Sequence, residues 1–529
     1  MSLFGIMASR VARQNVPSLL EQSIAVESEL TSPPGAYLER LPNEVLLMIV
    51  QDCHEHDLSN IKSNNKDNTG ELALCNLTLT SKRLKEVAEP VLYETIPELK
   101  IFRLLKFLRS ILDRPALASH VIRFASADDG DEDEGPGQEL RVLFREESDW
   151  KVPSHLKQIV ASIDSEDILG NRDWILDLFF GRRWDCAVAT TTLLLPRLRY
   201  LSVCMPCGES SWNKDQRYEG HYKYIHKVLR HAAAQAQPQH PIQVFERLET
   251  VAIKNAKGDF NMASIASFAK SSPLHRLIIE TDHLPSCEDG HWQSEFAIQS
   301  LEVRLSHHFV YNLEKFLRCF PMLQDFRYIQ NPEARRFPLN NLARTLIEAK
   351  LPLKRLQLGP APQCTYHSRS IEQIESLASF QGLLSVDVIA FDLWPSPNID
   401  NHNNNNNDED SDSDLDNFVD AVEEPASDYD VPPLADLLPE SIERLTLRDG
   451  TTRTFLHVQS LLEVKYERVP NLKVVNIVPK TKASMEAFKE ESHYLGVLSA
   501  KCGVTFMMTE AEIIPVSPAR GGLFSFPLS

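Results

Sequence analysis

The sequence predicts an α/β fold: short strands alternate with helices in a curved parallel sheet, preceded by a small three-helix unit. Three observations predict it. A short apolar pattern recurs nine times along the chain at near-regular spacing. Helix-like stretches lie between the copies. Ahead of them, residues 39–96 carry apolar positions at helical, not strand, spacing.

The recurring pattern is LxxLxL, where x is any residue and other apolar residues can stand for leucine. Copies begin at Leu198, Leu248, Leu274, Ile298, Leu323, Leu353, Leu383, Ile442 and Leu472. The first positions are separated by 50, 26, 24, 25, 30, 30, 59 and 30 residues. The 50 reads as two periods. The 59 contains a 38-residue acidic stretch, without which it is 21, or one period. In Leu353-Lys-Arg-Leu356-Gln-Leu358 the last two apolar positions alternate with a polar one, which sets them on one face of a strand. The first leucine fills the core beneath. Helices are expected between strands over 222–234, 260–270, 310–319, 371–380 and 455–466. A single strand–helix unit cannot bury its own apolar face, so the units stack.

Periods of about 20–29 residues with this pattern resemble leucine-rich repeats. The asparagine that regular repeats place after the strand is missing: Pro206, Ala256 and Gly450 stand there instead. The array is therefore expected to be irregular, with uneven curvature.

In the amino-terminal unit, Leu41-Pro42 opens a helix, because proline's missing N–H would be unpaired in a first turn anyway. Val45, Leu46, Ile49 and Val50 form a broad apolar stripe. A polar stretch, 59–70, interrupts the pattern, and Leu72, Leu74, Leu77 and Leu79 resume it. Thr80 or Ser81 caps a third helix, with Leu84, Val87 and Ala88 on its buried side and Pro90 ending it. Such a unit is too small to be comfortably stable alone and expects a partner. A further helix over 100–112 follows, then a strand-like run over 120–124.

The net charge of −19 is unevenly distributed. Residues 127–138 hold six acidic side chains and residues 396–433 twelve, with no lysine or arginine in either stretch. Outside them, 56 acidic residues face 55 basic ones. The folded part and its capture surface are thus expected to be near neutral, and no basic cluster suggests nucleic-acid binding. The acidic runs read as disordered inserts. Nine scattered cysteines form no disulfide framework and fit a reducing compartment, cytoplasmic or nuclear. No apolar run approaches the roughly 18 residues of a membrane helix.

The resulting division is a disordered terminus over 1–38, the helical unit over 39–96, and a linking helix and first strand over 97–126. An acidic insert (127–138), the repeat region (139–395) and a second insert (396–433) follow. The final repeats (434–510) and a tail (511–529) complete the chain.

The run Leu41-Pro-Asn-Glu-Val-Leu-Leu-Met-Ile49, with Leu74, Leu77 and Leu79-Thr-Ser-Lys-Arg-Leu84, resembles the F-box motif. The continuation Val87-Ala-Glu-Pro-Val-Leu-Tyr-Glu-Thr-Ile96, the helix after it, Pro115 and Val121 look like the F-box family of filamentous fungi. The resemblance implies docking on a Skp-type adaptor of a cullin–RING ubiquitin ligase, with an unknown protein substrate held by the carboxy-terminal region. By position it implies that Leu41, Pro42, Val45, Ile49, Leu77 and Leu84 bury against the adaptor or shape that surface. The alternative is a non-catalytic scaffold without ubiquitin transfer. On neither reading is the chain an enzyme, and no cofactor, metal, nucleic acid or membrane is expected.

Other signals are weak. Cys204-Met-Pro-Cys207 lacks a second ligand pair for zinc. His54-Glu55-His56 lacks the i, i+4 spacing of a helical metal site. If substrate is held on strand residues, Arg199, Arg276, Glu302, Gln324, Lys354 and Glu443 are the exposed candidates. Ser411 and Ser413, flanked by Asp410, Asp412 and Asp414, suit an acid-directed kinase. Phosphatase treatment of the native protein is expected to lower its intact mass by whole phosphate units; an unchanged mass counts against modification.

Overall fold

The structure, a computed structural model, describes residues 35–61, 69–99, 101–126, 154–163, 168–179, 184–204, 223–234, 244–254, 262–271, 273–283, 295–309, 313–330, 339–360, 376–389, 432–479 and 482–509. Both acidic stretches (432 and 433 apart), Ser411, Ser413, residues 1–34 and residues 510–529 lie outside these. The chain divides into two compact units, with the boundary between Leu92 and Tyr93.

The first unit is helical: α1 (Gly35–Arg40), α2 (Asn43–Ile61), α3 (Thr69–Thr80) and α4 (Lys82–Glu94). The Pro42 carbonyl accepts the N–H groups of Val45 and Leu46 at 3.1 and 3.0 Å, so proline stands at the helix entry, where no donor is needed. Ser81 is the cap of α4: its Oγ accepts the Leu84 N–H at 3.3 Å. Two expectations are corrected. Helix α2 continues into the polar stretch as far as Ile61, and α3 begins at Thr69. Nor does Pro90 end α4, which runs on to Glu94. Proline inside a helix costs about 3 kcal/mol; burial of Ala88 and Val91 on either side holds the turn against it.

The second unit begins with β1 (Thr95–Leu99), α5 (Ile101–Asp113), α6 (Pro115–Ala118) and β2 (Arg123–Ser126), followed by α7 (Ser154–Ile163), α8 (Ile168–Phe179) and α9 (Trp184–Leu193). Then come β3 (Tyr200–Cys204), α10 (Lys223–Ala234), β4 (Thr250–Lys254), α11 (Met262–Ser271), β5 (Arg276–His283) and β6 (Ser300–Phe309). Next are α12 (Leu313–Arg318), β7 (Asp325–Gln330), α13 (Leu339–Glu348), β8 (Arg355–Pro360), β9 (Ser385–Ile389), α14 (Leu434–Leu437) and β10 (Arg444–Gly450). The last are α15 (Thr452–Glu463), α16 (Lys465–Arg468), β11 (Val474–Pro479), α17 (Lys482–Ala487), α18 (Lys489–Lys501) and β12 (Thr505–Met508).

The twelve strands of the described residues form one parallel sheet in chain order. The nine pattern copies become β3 to β11, and in every copy the first apolar residue is buried, from Leu198 to Leu472. Strands β1, β2 and β12 extend the sheet beyond the copies. The spacing of 50 residues is not two periods: β3 pairs directly with β4, Leu201 opposite Val251. Of the expected helix over 371–380, residues 376–380 form a turn and 371–375 lie outside the described residues.

Neighbouring units are joined by a repeated main-chain contact. The carbonyl after each first apolar residue accepts two consecutive N–H groups of the next unit. Thus Gln324 accepts Lys354 and Arg355, and Lys354 accepts Leu384 and Ser385. Nine carbonyls, from Ile122 to Glu443, do this at 2.8–3.2 Å. A turn comes before: the first apolar N–H reaches back three residues, as from Leu323 to Phe320 and Leu472 to Val469.

Helix α9 is buried almost throughout, yet contains Asp185 and Thr190–Thr192. The threonine hydroxyls donate to carbonyls one turn back, at 2.7–2.8 Å. Asp185 accepts the N–H groups of Tyr224 and Ile225 at 2.7 and 2.9 Å, capping the start of α10 with a carboxylate. The three threonine hydroxyls and the Asp185 carboxylate are therefore satisfied within the fold.

Units approach closely at Gly450, where an added Cβ would lie 2.5 Å from Ile477 Cγ2. At Gly382 the nearest atom would be 3.7 Å away, an ordinary contact. Gly450→Ala is expected to cost about 1–3 kcal/mol in urea unfolding by overpacking. Gly382→Ala should change stability far less, and equal effects would contradict this packing.

Candidate interaction surfaces

In the helical unit the apolar stripe of α2 divides. Leu46, Val50 and Cys53 turn inward, and Val50 and Cys53 join Leu74, Ala88 and Val91 in a small core. Val45 and Met48 point out, 38% and 67% exposed, and Ile49 is half-buried beside them. On α3, Leu74 is buried while Leu72 and Leu79, seven residues apart, are 61% and 84% exposed. Together with Val45 and Met48 they put four large apolar side chains on the surface of one small unit.

Of the residues singled out in sequence, Pro42 and Val45 are exposed, Leu41, Ile49 and Leu77 are half-buried, and Leu84 is buried. Leu84 therefore supports the surface from within. Arg83, not singled out, is the clamp of the unit. Its Nη2 donates to the Leu41 carbonyl at 2.7 Å and to Asn43 Oδ1 at 2.8 Å, and its Nη1 donates to the Glu39 carbonyl. The arginine after Thr80-Ser81-Lys82 thus holds the Leu41-Pro42 entry in place from a distant part of the chain. The guanidinium's planar fork presents five donors in fixed directions, which suits several acceptors at once.

In the second unit the strand side chains that alternate with the core line the opposite face of the sheet. Register puts them in rows, one of which runs Ser202, Ala252, Ile278, Glu302, Arg327, Gln357 and Asp387. Among the described side chains, eight bases lie on this face: Arg123, Lys254, Arg276, Arg304, Arg327, Arg355, Arg444 and Arg448. Five acids accompany them: Glu98, Glu280, Glu302, Asp325 and Asp387. The expectation of a neutral surface is corrected. Near-neutrality of the whole folded part averages over faces that differ, and the described side chains of this one have an excess of three bases.

Several of these charges are paired. Glu302 accepts Arg304 Nη2 at 2.6 Å, Arg304 Nε at 2.8 Å and Arg276 Nη2 at 3.1 Å. Asp387 takes Arg448 in a two-pronged contact at 2.7 and 2.8 Å. Asp325 pairs with Arg355 at 3.2 Å, and Lys254 with Glu98. Arg123 stacks 4.2 Å from the centre of the Tyr200 ring. Among the described residues, the side chains of Arg327 and Arg444 have no partner. Arg276 Nε and Ser202 Oγ are buried without one.

Glu302, expected to be an exposed strand position, is only 3% exposed. Flanking arginines on β5 and β6 draw it down onto the sheet. Arg199 and Lys354 are exposed, while Arg276, Gln324 and Glu443 are half-buried. Arg199 lies 3.8 Å from Glu249, and Glu443 2.7 Å from Lys473, so two of these candidates are tied to the next unit.

Cys204 is buried in β3, and Cys207 lies outside the described residues. His54, Glu55 and His56 fall in α2, with side chains that are not described. Among the described residues no cluster of His, Cys, Asp or Glu is grouped to hold a metal, and no helix is long and apolar enough to cross a membrane. No protein-family model matches the chain, and no curated protein matches it significantly.

Burial opposes ionisation of Glu302, but Arg304 and Arg276 outweigh it and hold the carboxyl below its ordinary range. A carboxylate depressed on folding stabilises above its unfolded pKa, about 4.3, and loses that contribution as pH falls through its folded value. Glu302→Gln is expected to lower stability by about 1–3 kcal/mol at pH 7. The difference from the parent protein should shrink on acidification below about pH 4. A pH-independent difference in urea unfolding would show that the charge of Glu302 is not responsible.

Proposed function

We propose that this chain is the substrate-recognition subunit of an SCF-type cullin–RING ubiquitin ligase. Its helical unit is an F-box that docks on a Skp-type adaptor, and its sheet is an irregular leucine-rich-repeat array that holds a protein substrate. The observation that carries the reading is the divided stripe of α2. Val45 and Met48 remain exposed on the segment whose sequence resembles the F-box, while Leu46, Val50 and Cys53 form the unit's own core. A helix with apolar residues on two sides has one side for its own unit and one for a partner.

The chemistry of such a subunit is proximity. Holding a substrate lysine beside a loaded ubiquitin carrier raises their effective concentration, with no bond made or broken by this chain. A second reading is a scaffold tethered to the adaptor without ubiquitin transfer. A captured protein whose abundance rises when the chain is deleted favours the receptor over the scaffold.

Val45→Asp with Met48→Asp is expected to weaken adaptor binding at least tenfold, or about 1.4 kcal/mol, measured by calorimetry with the recombinant adaptor. Unfolding should change little, because both side chains are already exposed. Unaltered adaptor affinity in the double variant would remove the docking surface from this helix.

A further inference from the structure

We infer that the sheet face opposite the core captures an acidic, extended polypeptide segment of another protein. The inference rests on the reading of the sheet as the capture surface, and it names the chemistry of what is captured. The chain as a whole has a net charge of −19, yet among the described side chains this face holds eight bases against five acids. The excess is not consumed within the fold: Arg327 on β7 and Arg444 on β10 have no side-chain partner among the described residues. Arg276 adds a buried Nε without an acceptor.

The distribution of charge selects the class of partner. On the row through the sheet, Arg327 follows Glu302, and Gln357 and Asp387 come next. Nucleic acid would bring evenly spaced phosphates against Glu280, Glu302, Asp325 and Asp387 as well as the arginines, and like charges facing each other oppose binding. A polypeptide can place carboxylates at the unpaired arginines and neutral side chains at the acids. The face already shows the contact geometry: the Arg448 guanidinium grips Asp387 with two parallel hydrogen bonds. Strands lie about 4.8 Å apart, so the six steps from β4 to β10 span roughly 29 Å, the reach of about nine extended residues.

The test uses the full chain and fluorescence anisotropy with a labelled peptide of about a dozen residues rich in Asp and Glu, beside its Asn/Gln counterpart. The acidic peptide is expected to bind at least tenfold more tightly than the amide peptide. Arg327→Glu with Arg444→Glu should remove most of that preference and leave thermal unfolding unchanged, since neither side chain supports the fold. A milder Arg327→Gln with Arg444→Gln variant should give an intermediate loss.

Equal binding of both peptides, or binding of neither, overturns the inference. So does retention of the acidic preference in the folded double variant, or a single-stranded oligothymidylate that binds more tightly than the acidic peptide. Binding that emerges only after residues 396–431 are deleted also overturns it, because the face would then be taken by the chain's own acids. Adaptor binding is measured in parallel: its loss with acidic-peptide binding intact rejects the ligase reading, and the converse rejects only the acidic partner.

Discussion

One carbonyl that accepts two consecutive N–H groups of the next unit sets the geometry on which the sheet depends. The contact recurs at nine positions between Ile122 and Glu443, and because it is made by main chain it does not ask for any one side chain. His275, Gln299, Lys354 and Leu384 all supply the acceptor. That is why an array without the asparagine of regular repeats still keeps its strands in register. The buried donors and acceptors at each unit boundary are paired whatever the residue, and leaving them unpaired would cost more than any irregularity in spacing.

With register set, alternation does the rest. Each strand sends two apolar side chains into the core and leaves those between on the opposite face. Charges from units far apart in the chain are thereby ranked side by side. Glu302 meets Arg276, 26 residues earlier, and Asp387 meets Arg448, 61 residues later. The same register gathers a positive excess on one face of an acidic chain. In the helical unit a different constraint serves a similar end: Arg83 reaches 40 or more residues back to Glu39, Leu41 and Asn43, and so fixes the entry of α2.

The strands were largely legible in sequence because burial of alternate residues leaves a local trace. All nine LxxLxL copies formed strands, and Leu104, Leu105, Leu108, Ile111 and Leu112 line the buried side of a helix as their spacing requires. Two strands escaped. β1 follows directly on α4 in a segment read as the end of the helical unit, and β12 carries the alternation Val504, Phe506 and Met508 without a leading leucine. The turn before each strand had a trace too: Leu195-Pro, Phe320-Pro and Val469-Pro sit three residues ahead of Leu198, Leu323 and Leu472, proline being favoured after the first turn position.

By itself the sequence determined the repeating α/β plan, the strand residues that enter the core and the helical character of the first unit, since all three rest on periodicity within a few residues. Tertiary structure alone decided which apolar residues of α2 and α3 are spent on the unit's own core and which stay at the surface. It also decided that Glu302 is buried, that Pro90 is tolerated inside a helix, and that Arg327 and Arg444 lack partners among the described residues. These depend on neighbours distant in the chain, brought together by packing and register, and no local pattern encodes them.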